Sequence, residues 1–441
     1  MATLFAVLIA PILVSALTAA LRRWPRAAAL AGAGSVALLA LFVAVVTPAS
    51  GEEPLGWELL GRTLSLDAAI GHILTLLYAG TALLLLLAAL WPQGRDFTTA
   101  AIAALAPLAL ALMIRPFVYG TVALLAAASI QVGVIQAGRA GSTRAAMHFL
   151  TVVVLATPFF LVSGWMLDSE QLVFFRTLWR LLLAGSALLL AGVPFHFWVR
   201  PLVEEAAPLA VVAVLGLGQL VTITFVSLVF LENPMFAQTG LPFWLRAAGL
   251  ATMALAGVLA VTSTQAKRAV AYAALLDMGA VLASMGTGGA GLPVVLLLVL
   301  ARTLSLALVM AGLAQTGAAE ETQQPPAGRL WPVLLAWYGA MSLVGLPLTP
   351  GFAGRWAAVG LLGQQSPWFA AVAIAAIAAS AVGVWRTLPR PTLPSLAELP
   401  ERQQVALPQI IAATLLLAAV MFALFPAWPR SLAVSLAALF V

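Results

Sequence analysis

The sequence has no cysteine, a single lysine (Lys267) and three histidines in 441 residues. Without cysteine there can be no disulfide, no thiolate zinc site and no Cys-ligated iron–sulfur cluster. Three scattered histidines leave nothing to build a haem or His-rich metal site, so neither a metal nor a cofactor is expected. Charge is nearly as scarce, at 8% of residues, where a soluble domain carries about 25%. A soluble fold of this length needs a polar surface that these residues cannot supply. The net charge of +6 is not gathered on one face, which argues against a nucleic-acid partner. Also missing are a phosphate-binding Gly-rich loop in a βαβ context and a nucleophile–His–Asp set. No catalytic centre is expected in the chain, and any enzyme label would belong to a larger assembly.

What is present is apolar. Hydrophobic residues make up 63% of the chain, in long Leu/Ala/Val runs without period-two alternation. Lipid is the solvent that accepts such a surface, and these runs favour helices over a barrel. About 20 apolar residues span a bilayer, which predicts an all-α polytopic protein of fourteen spans. They fall near 3–21, 27–47, 68–91, 98–114, 117–137, 145–166, 174–193, 207–231, 243–263, 268–286, 289–314, 330–346 continuing to 363, 367–387 and 405–425. The tail 430–441 is too short to cross and is assigned to the interface. Positive charge follows the first apolar run (Arg22, Arg23, Arg26) rather than preceding it, so this run reads as an uncleaved span.

Loop charge gives the orientation. Loops after odd-numbered spans carry Arg22, Arg23, Arg26, Arg95, Arg139, Arg144, Arg200, Lys267, Arg268, Arg329, Arg386, Arg390 and Arg402. Loops after even-numbered spans carry Glu52, Glu53, Glu58, Asp168, Glu170 and Glu232. The basic side faces the cytoplasm, so both termini are predicted on the outer face of a bacterial inner membrane.

Two spans are interrupted. Span seven breaks at Gly192 and Pro194, and span twelve at Gly345, Pro347, Pro350 and Gly351. The breaks lie five spans apart, so spans 4–8 and 9–13 read as two inverted five-helix repeats, each broken at its fourth helix. Paired discontinuous helices of this kind point to an ion pathway, although Pro and Gly are also frequent in membrane helices generally. The predicted organisation is a three-helix segment over 1–97, repeats over 98–231 and 243–390, and a C-terminal helix with an interfacial tail over 391–441.

Several polar residues sit where lipid should exclude them. Asp277 lies about 15 Å into span ten, near the midplane. It reads either as a proton site or as a protonated group bonded to a neighbouring helix. Arg302 is midway along span eleven and needs a carboxylate or water; Asp277 is its candidate partner, in a structural or a conducting role. Arg355 follows the break of span twelve, as part of a mid-membrane site or as a snorkelling residue. His196 follows the other break and is either a proton shuttle or packed in a turn. Glu204 and Glu205 either feed protons or lie in a solvated loop. Gln219 suits a hydrogen-bonded water chain, His148 an interfacial position, and Lys267 the entrance of span ten.

The stretches VPFHFW with EEAAP, STQAKRAVAYAALLDMG and MSLVGLPLTPGFAGRW resemble three motifs of the antiporter-like membrane subunits of respiratory complex I. That superfamily also contains Mrp-type sodium/proton antiporters and membrane subunits of energy-converting hydrogenases. The motifs stand in the family's order over residues 98–390. The resemblance implies a proton- or cation-translocating subunit, coupling redox chemistry in partner subunits to proton transfer along a polar midplane axis. Its partners would be other membrane subunits, the lipid bilayer, and protons or sodium. It further implies that Asp277 stands at the family's helix-ten histidine, Arg355 at the helix-twelve lysine and His196 at the family's histidine. Charges are replaced elsewhere. The helix-five glutamate falls near Ala126, the helix-seven lysine near Leu189, the helix-eight lysine near Gln219 or Leu220, and the helix-eleven lysine near Ser305, one turn from Arg302. The Pro-Asp after the tryptophan is Val199-Arg200. A non-conducting structural subunit and an Mrp-type antiporter subunit stand as alternatives.

Overall fold

The computed structural model describes residues 2–59, 61–137, 141–168, 175–316, 330–388 and 407–440. The predicted loop charges at Arg139, Glu170, Arg329, Arg390 and Arg402 lie outside these residues, as does the predicted boundary near 391. The chain divides into two compact units, Met1–Leu245 with Val434–Val441, and Arg246–Ala433.

The first unit opens with α1 (Ala2–Ala20) and α2 (Pro25–Val46), then β1 (Leu55–Leu59), β2 (Arg62–Leu66) and α3 (Ala68–Leu90). Helix α3 starts where Asp67 caps it, Oδ1 accepting from the Ile70 N–H at 2.7 Å, which satisfies one of the free donors of the first turn. Tyr78 on α3 is fully buried and donates to the Val7 carbonyl on α1 at 3.0 Å. Next come α4 (Phe97–Ala103), α5 (Leu105–Met113), β3 (Ile114–Arg115), α6 (Phe117–Gln136), α7 (Thr143–Asp168) and α8 (Phe175–Leu189). After the break lie α9 (Val199–Glu205), α10 (Pro208–Val211), a π-helical stretch Val212–Gly218, and α11 (Gln219–Leu231).

The all-α expectation is corrected by a small antiparallel sheet of order β1-β2-β3. Leu64 pairs with Trp57 on one side and Ile114 on the other, and the Arg62 guanidinium lies 4.1 Å over the Tyr119 ring. The predicted span 98–114 is two helices meeting at Ala104.

The second unit contains most of α12 (Leu241–Thr262), then α13 (Ala266–Met285), α14 (Leu292–Thr316), α15 (Leu330–Val344), α16 (Pro350–Gln365), α17 (Pro367–Thr387), α18 (Leu407–Leu424) and the start of α19 (Ala427–Ala438). Its helices approach through small residues, as apolar side chains gain little from each other in lipid. A Cβ on Gly249 of α12 would lie 2.4 Å from the Ala283 nitrogen of α13. Gly312 and Gly339 seat α14 and α15 against each other's backbones in the same way.

Among the described residues, ten helices are long and apolar enough to cross a membrane, and the bent pair α18–α19 makes up to eleven. Shorter apolar helical segments cover Phe97–Met113 and Trp331–Val344. The protein is a multi-pass helical membrane protein. The predicted figure of fourteen also counts short and broken segments as spans. Pro208–Leu231 and Ala266–Met285 are the spans most enclosed by protein, each 89% buried against 28–72% for the rest. These two carry Gln219 and Asp277.

Candidate functional site

Helix α13 is buried at every position from Ala269 to Ser284, so its one acidic residue cannot turn to lipid headgroups or water. Asp277 is 4% exposed, and two guanidinium side chains, Arg302 and Arg355, are each 1% exposed. The three meet. Arg355 Nη2 donates to Asp277 Oδ1 at 2.8 Å, and Arg302 Nη1 lies 3.4 Å from Asp277 Oδ2. The reading of Arg355 as a snorkelling residue is corrected by its burial. Asp277 is the shared partner of both arginines, through a hydrogen bond from Arg355 and an ion-pair contact with Arg302.

The broken span makes this meeting possible. Helix α15 ends at Val344, and Gly345 turns the chain with φ +89°. A side chain there would be strained, and its Cβ would sit 2.6 Å from Arg355 Cβ. Ending a helix leaves carbonyls without intrahelical donors. One of them, Leu343 O, accepts from Arg355 Nη2 at 2.7 Å, and Leu276 O accepts from Nη1 at 3.2 Å. Helix α16 restarts at Pro350, whose fixed φ suits a first turn. The Thr349 hydroxyl turns back to Leu346 O at 2.6 Å, and the first turn is served instead by Ser342, whose Oγ accepts from the Gly351 N–H at 2.9 Å. Ser342 Oγ is also 2.6 Å from Ser305 Oγ, which donates to Ala301 O at 2.6 Å. Ser305, where the resemblance places a lysine, thus joins a neutral hydroxyl chain to the half-helix that carries Arg355.

The two arginines differ. Arg355 is anchored by one carboxylate and two carbonyls, whereas Nε, Nη1 and Nη2 of Arg302 are buried without a hydrogen-bond partner. Chemically, Asp277 has two alternatives. As a carboxylate it offsets two cations; with a proton bound it gives up both ion pairs, and charge at the site changes by one unit in a medium that screens poorly. Lys267 lies a few turns away in the first turn of α13, half-buried.

Among its described residues the first unit has no such cluster. Gln219 Nε2 donates to Leu189 O at 3.2 Å, linking two of the positions where the resemblance places lysines. Gln219 Oε1 and Trp198 Nε1 are buried without partners, and both residues line a cavity of about 20 Å³ together with Gln131, Leu189 and Thr222. One acceptor and one donor facing a space of that size suit a single water molecule. No charge is available there to hold a proton. Gln219→Leu removes an orphaned acceptor along with one hydrogen bond, so thermal unfolding of this variant is expected to shift by under about 1 kcal/mol.

The other predicted residues are placed separately. His196 lies in a short 3₁₀ turn, His196–Trp198, after the break at Gly192 and Pro194, with Nδ1 buried and without a partner. His148 is half-buried, its ring meeting Phe197 edge-on at 5.8 Å with Nδ1 buried. Glu204 and Glu205 end helix α9 rather than lying in a solvated loop. Glu204 pairs with Arg200 at 3.0 Å. Glu205 pairs with Arg144, and its Oε2 accepts from the Ala145 N–H at 3.0 Å at the start of α7. Sequence reasoning missed Ser342, Trp198 and Gln131. Trp198 and Ser342 do stand inside the quoted stretches VPFHFW and MSLVGLPLTPGFAGRW, whereas nothing in the sequence marked Gln131.

Comparison with known proteins fits this architecture. Residues 168–380 match the family model described as NADH:quinone oxidoreductase/Mrp antiporter, TM. NADH-quinone oxidoreductase subunit N 2 of Rhizobium meliloti is 29% identical over 259 residues, 56% of this chain and 53% of that protein. The chain thus spans about half the length of the curated relatives it matches. A chain of respiratory complex I from Thermus thermophilus superposes with a TM-score of 0.76 at 22% identity, covering 99% of this chain and all of that one. A chain of the Mrp complex from Dietzia sp. gives 0.79 at 18% identity, covering all of this chain and 52% of that one. Residues 168–380 thus resemble that family of membrane subunits, and the solved structures share the fold of the chain.

Proposed function

We propose that this chain is a proton-translocating, antiporter-like subunit of a complex I-type assembly in a bacterial inner membrane, with Asp277 as its proton site. Redox chemistry in partner subunits supplies the drive. The observation that carries this reading is the buried Arg302–Asp277–Arg355 cluster beside the broken helix. A carboxylate enclosed on all sides, facing unwound backbone and two cations, feels any charge change in a neighbouring subunit strongly. In this reading the chain has fourteen spans with both termini outside, including two inverted five-helix repeats.

A second reading is favoured by one specific observation. The first unit has Gln219 and Leu189 where the resemblance places lysines, and its cavity is uncharged. In this reading the chain is a structural spacer whose first half holds no proton site.

One double variant separates the two. Asp277→Asn with Arg302→Met leaves the same net buried charge as the native cluster, so the assembly is expected to form. Proton flux through the reconstituted complex is expected to fall to background. Flux equal to that of the native complex would eliminate Asp277 as the proton site and favour the structural reading.

A further inference from the structure

The buried charge of the second unit does not balance. Two guanidinium groups face one carboxylate, and Asp277 is the sole Asp or Glu among the described residues of that unit. We propose that Arg302 binds a monovalent anion of halide size, with an affinity coupled to the charge on Asp277. This goes beyond the proton-translocation reading and does not depend on it.

Arg302 is the unsatisfied member of the cluster. Its side chain is sealed from solvent, and none of its three nitrogens makes a hydrogen bond. Guanidinium presents five N–H donors, and leaving buried charged donors unmet is costly. Of the acceptors around it, only Asp277 Oδ2 is uncommitted, and one carboxylate oxygen cannot meet five donors. Asp277 Oδ1 is taken by Arg355, which also occupies Leu276 O and Leu343 O. The neighbouring hydroxyls of α14 are turned back on their own helix, Thr303 to Val299 O at 2.9 Å and Ser305 to Ala301 O at 2.6 Å. The 3.4 Å approach to Asp277 Oδ2 is an ion-pair contact without hydrogen-bond geometry, so no hydrogen bond fixes the guanidinium plane.

The ligand chemistry follows from the deficit. Water would satisfy donors but leave the net positive charge and bring two protons of its own that need acceptors. A halide-sized anion accepts several N–H groups, brings no protons and neutralises the excess. Its affinity should depend on Asp277, because loss of that negative charge takes the cluster from one excess positive charge to two.

Equilibrium dialysis of the purified full-length chain in lipid nanodiscs, with radiolabelled chloride in a gluconate background, tests this. Saturable binding near one chloride per chain is expected. Arg302→Met should abolish it, and Asp277→Asn should tighten it roughly tenfold or more. Should the Asn variant fail to fold, unfolding temperature decides. Chloride should raise it over gluconate in the native chain and leave it unchanged in Arg302→Met. No saturable binding, binding that survives Arg302→Met, or weaker binding in Asp277→Asn would overturn the proposal.

Discussion

Arg355→Met is expected to destabilise the protein by about 3–5 kcal/mol, whereas Arg302→Met should cost less than about 1 kcal/mol or stabilise it. Charge counting alone does not separate the two variants. Either one leaves Asp277 with a single guanidinium and a neutral pair. Hydrogen bonds break the tie. Removing Arg355 strands Asp277 Oδ1 and Leu343 O, both enclosed and both relying on its Nη2, and takes a further donor from Leu276 O. Bonds to charged groups contribute about 1.5–3 kcal/mol each. Removing Arg302 breaks none, since its nitrogens have no partners, and methionine fills a similar volume with an apolar chain. Thermal unfolding of both variants and the double variant, in chloride-free buffer, measures the difference. Equal losses would mean that net charge, not the anchoring of Arg355, governs the cluster.

That asymmetry was not legible in the sequence, although the ingredients were. Lipid exclusion marked Asp277, Arg302 and Arg355, because a charge in the middle of an apolar run needs a reason. Consecutive helices suggested the Asp277–Arg302 pair. The stronger bond, from Arg355, spans 78 residues, and it depends on how the chain turns at Gly345 after α15 ends. Helical periodicity cannot carry a side chain's direction across such a break. Breaks themselves read well, since Gly345, Pro347 and Pro350 each remove a helix-compatible conformation or a donor. Short elements read poorly. The hairpin of β1 and β2 has strands of five residues each, too brief for alternation to stand out beside the acidic residues Glu52, Glu53 and Glu58. The break at Ala104 lies three residues before Pro107, which has no N–H to offer the Ala103 carbonyl. Gln131 looked like any polar residue of a helix until the fold placed it on one cavity with Gln219 and Trp198.

A single methyl group at Gly351 tests whether the broken helix holds the cluster together. Gly351→Ala is expected to cost about 3–5 kcal/mol and to lower proton flux along with stability. A Cβ there would lie 1.9 Å from the Ser342 carbonyl oxygen, and backbone cannot give way as a flexible side-chain tip can. The start of α16 must therefore move away from α15. That movement breaks the Gly351 N–H bond to Ser342 Oγ, now 2.9 Å, and with it the link through Ser305 to α14. Arg355 lies one turn further along α16, so displacement of the first turn carries the guanidinium off Asp277 and Leu343 O. The control lies in the same helix. Gly360 is exposed, with nothing within 4 Å of an added Cβ, so Gly360→Ala should be neutral or stabilise by up to about 1 kcal/mol through helix propensity. If the two substitutions behaved alike in unfolding and flux, the close approach at Gly351 would not be what positions Arg355. If only Gly351→Ala fails, and Ser342→Ala gives a milder loss of the same kind, the half-helix is held by backbone contact first and by the hydroxyl chain second.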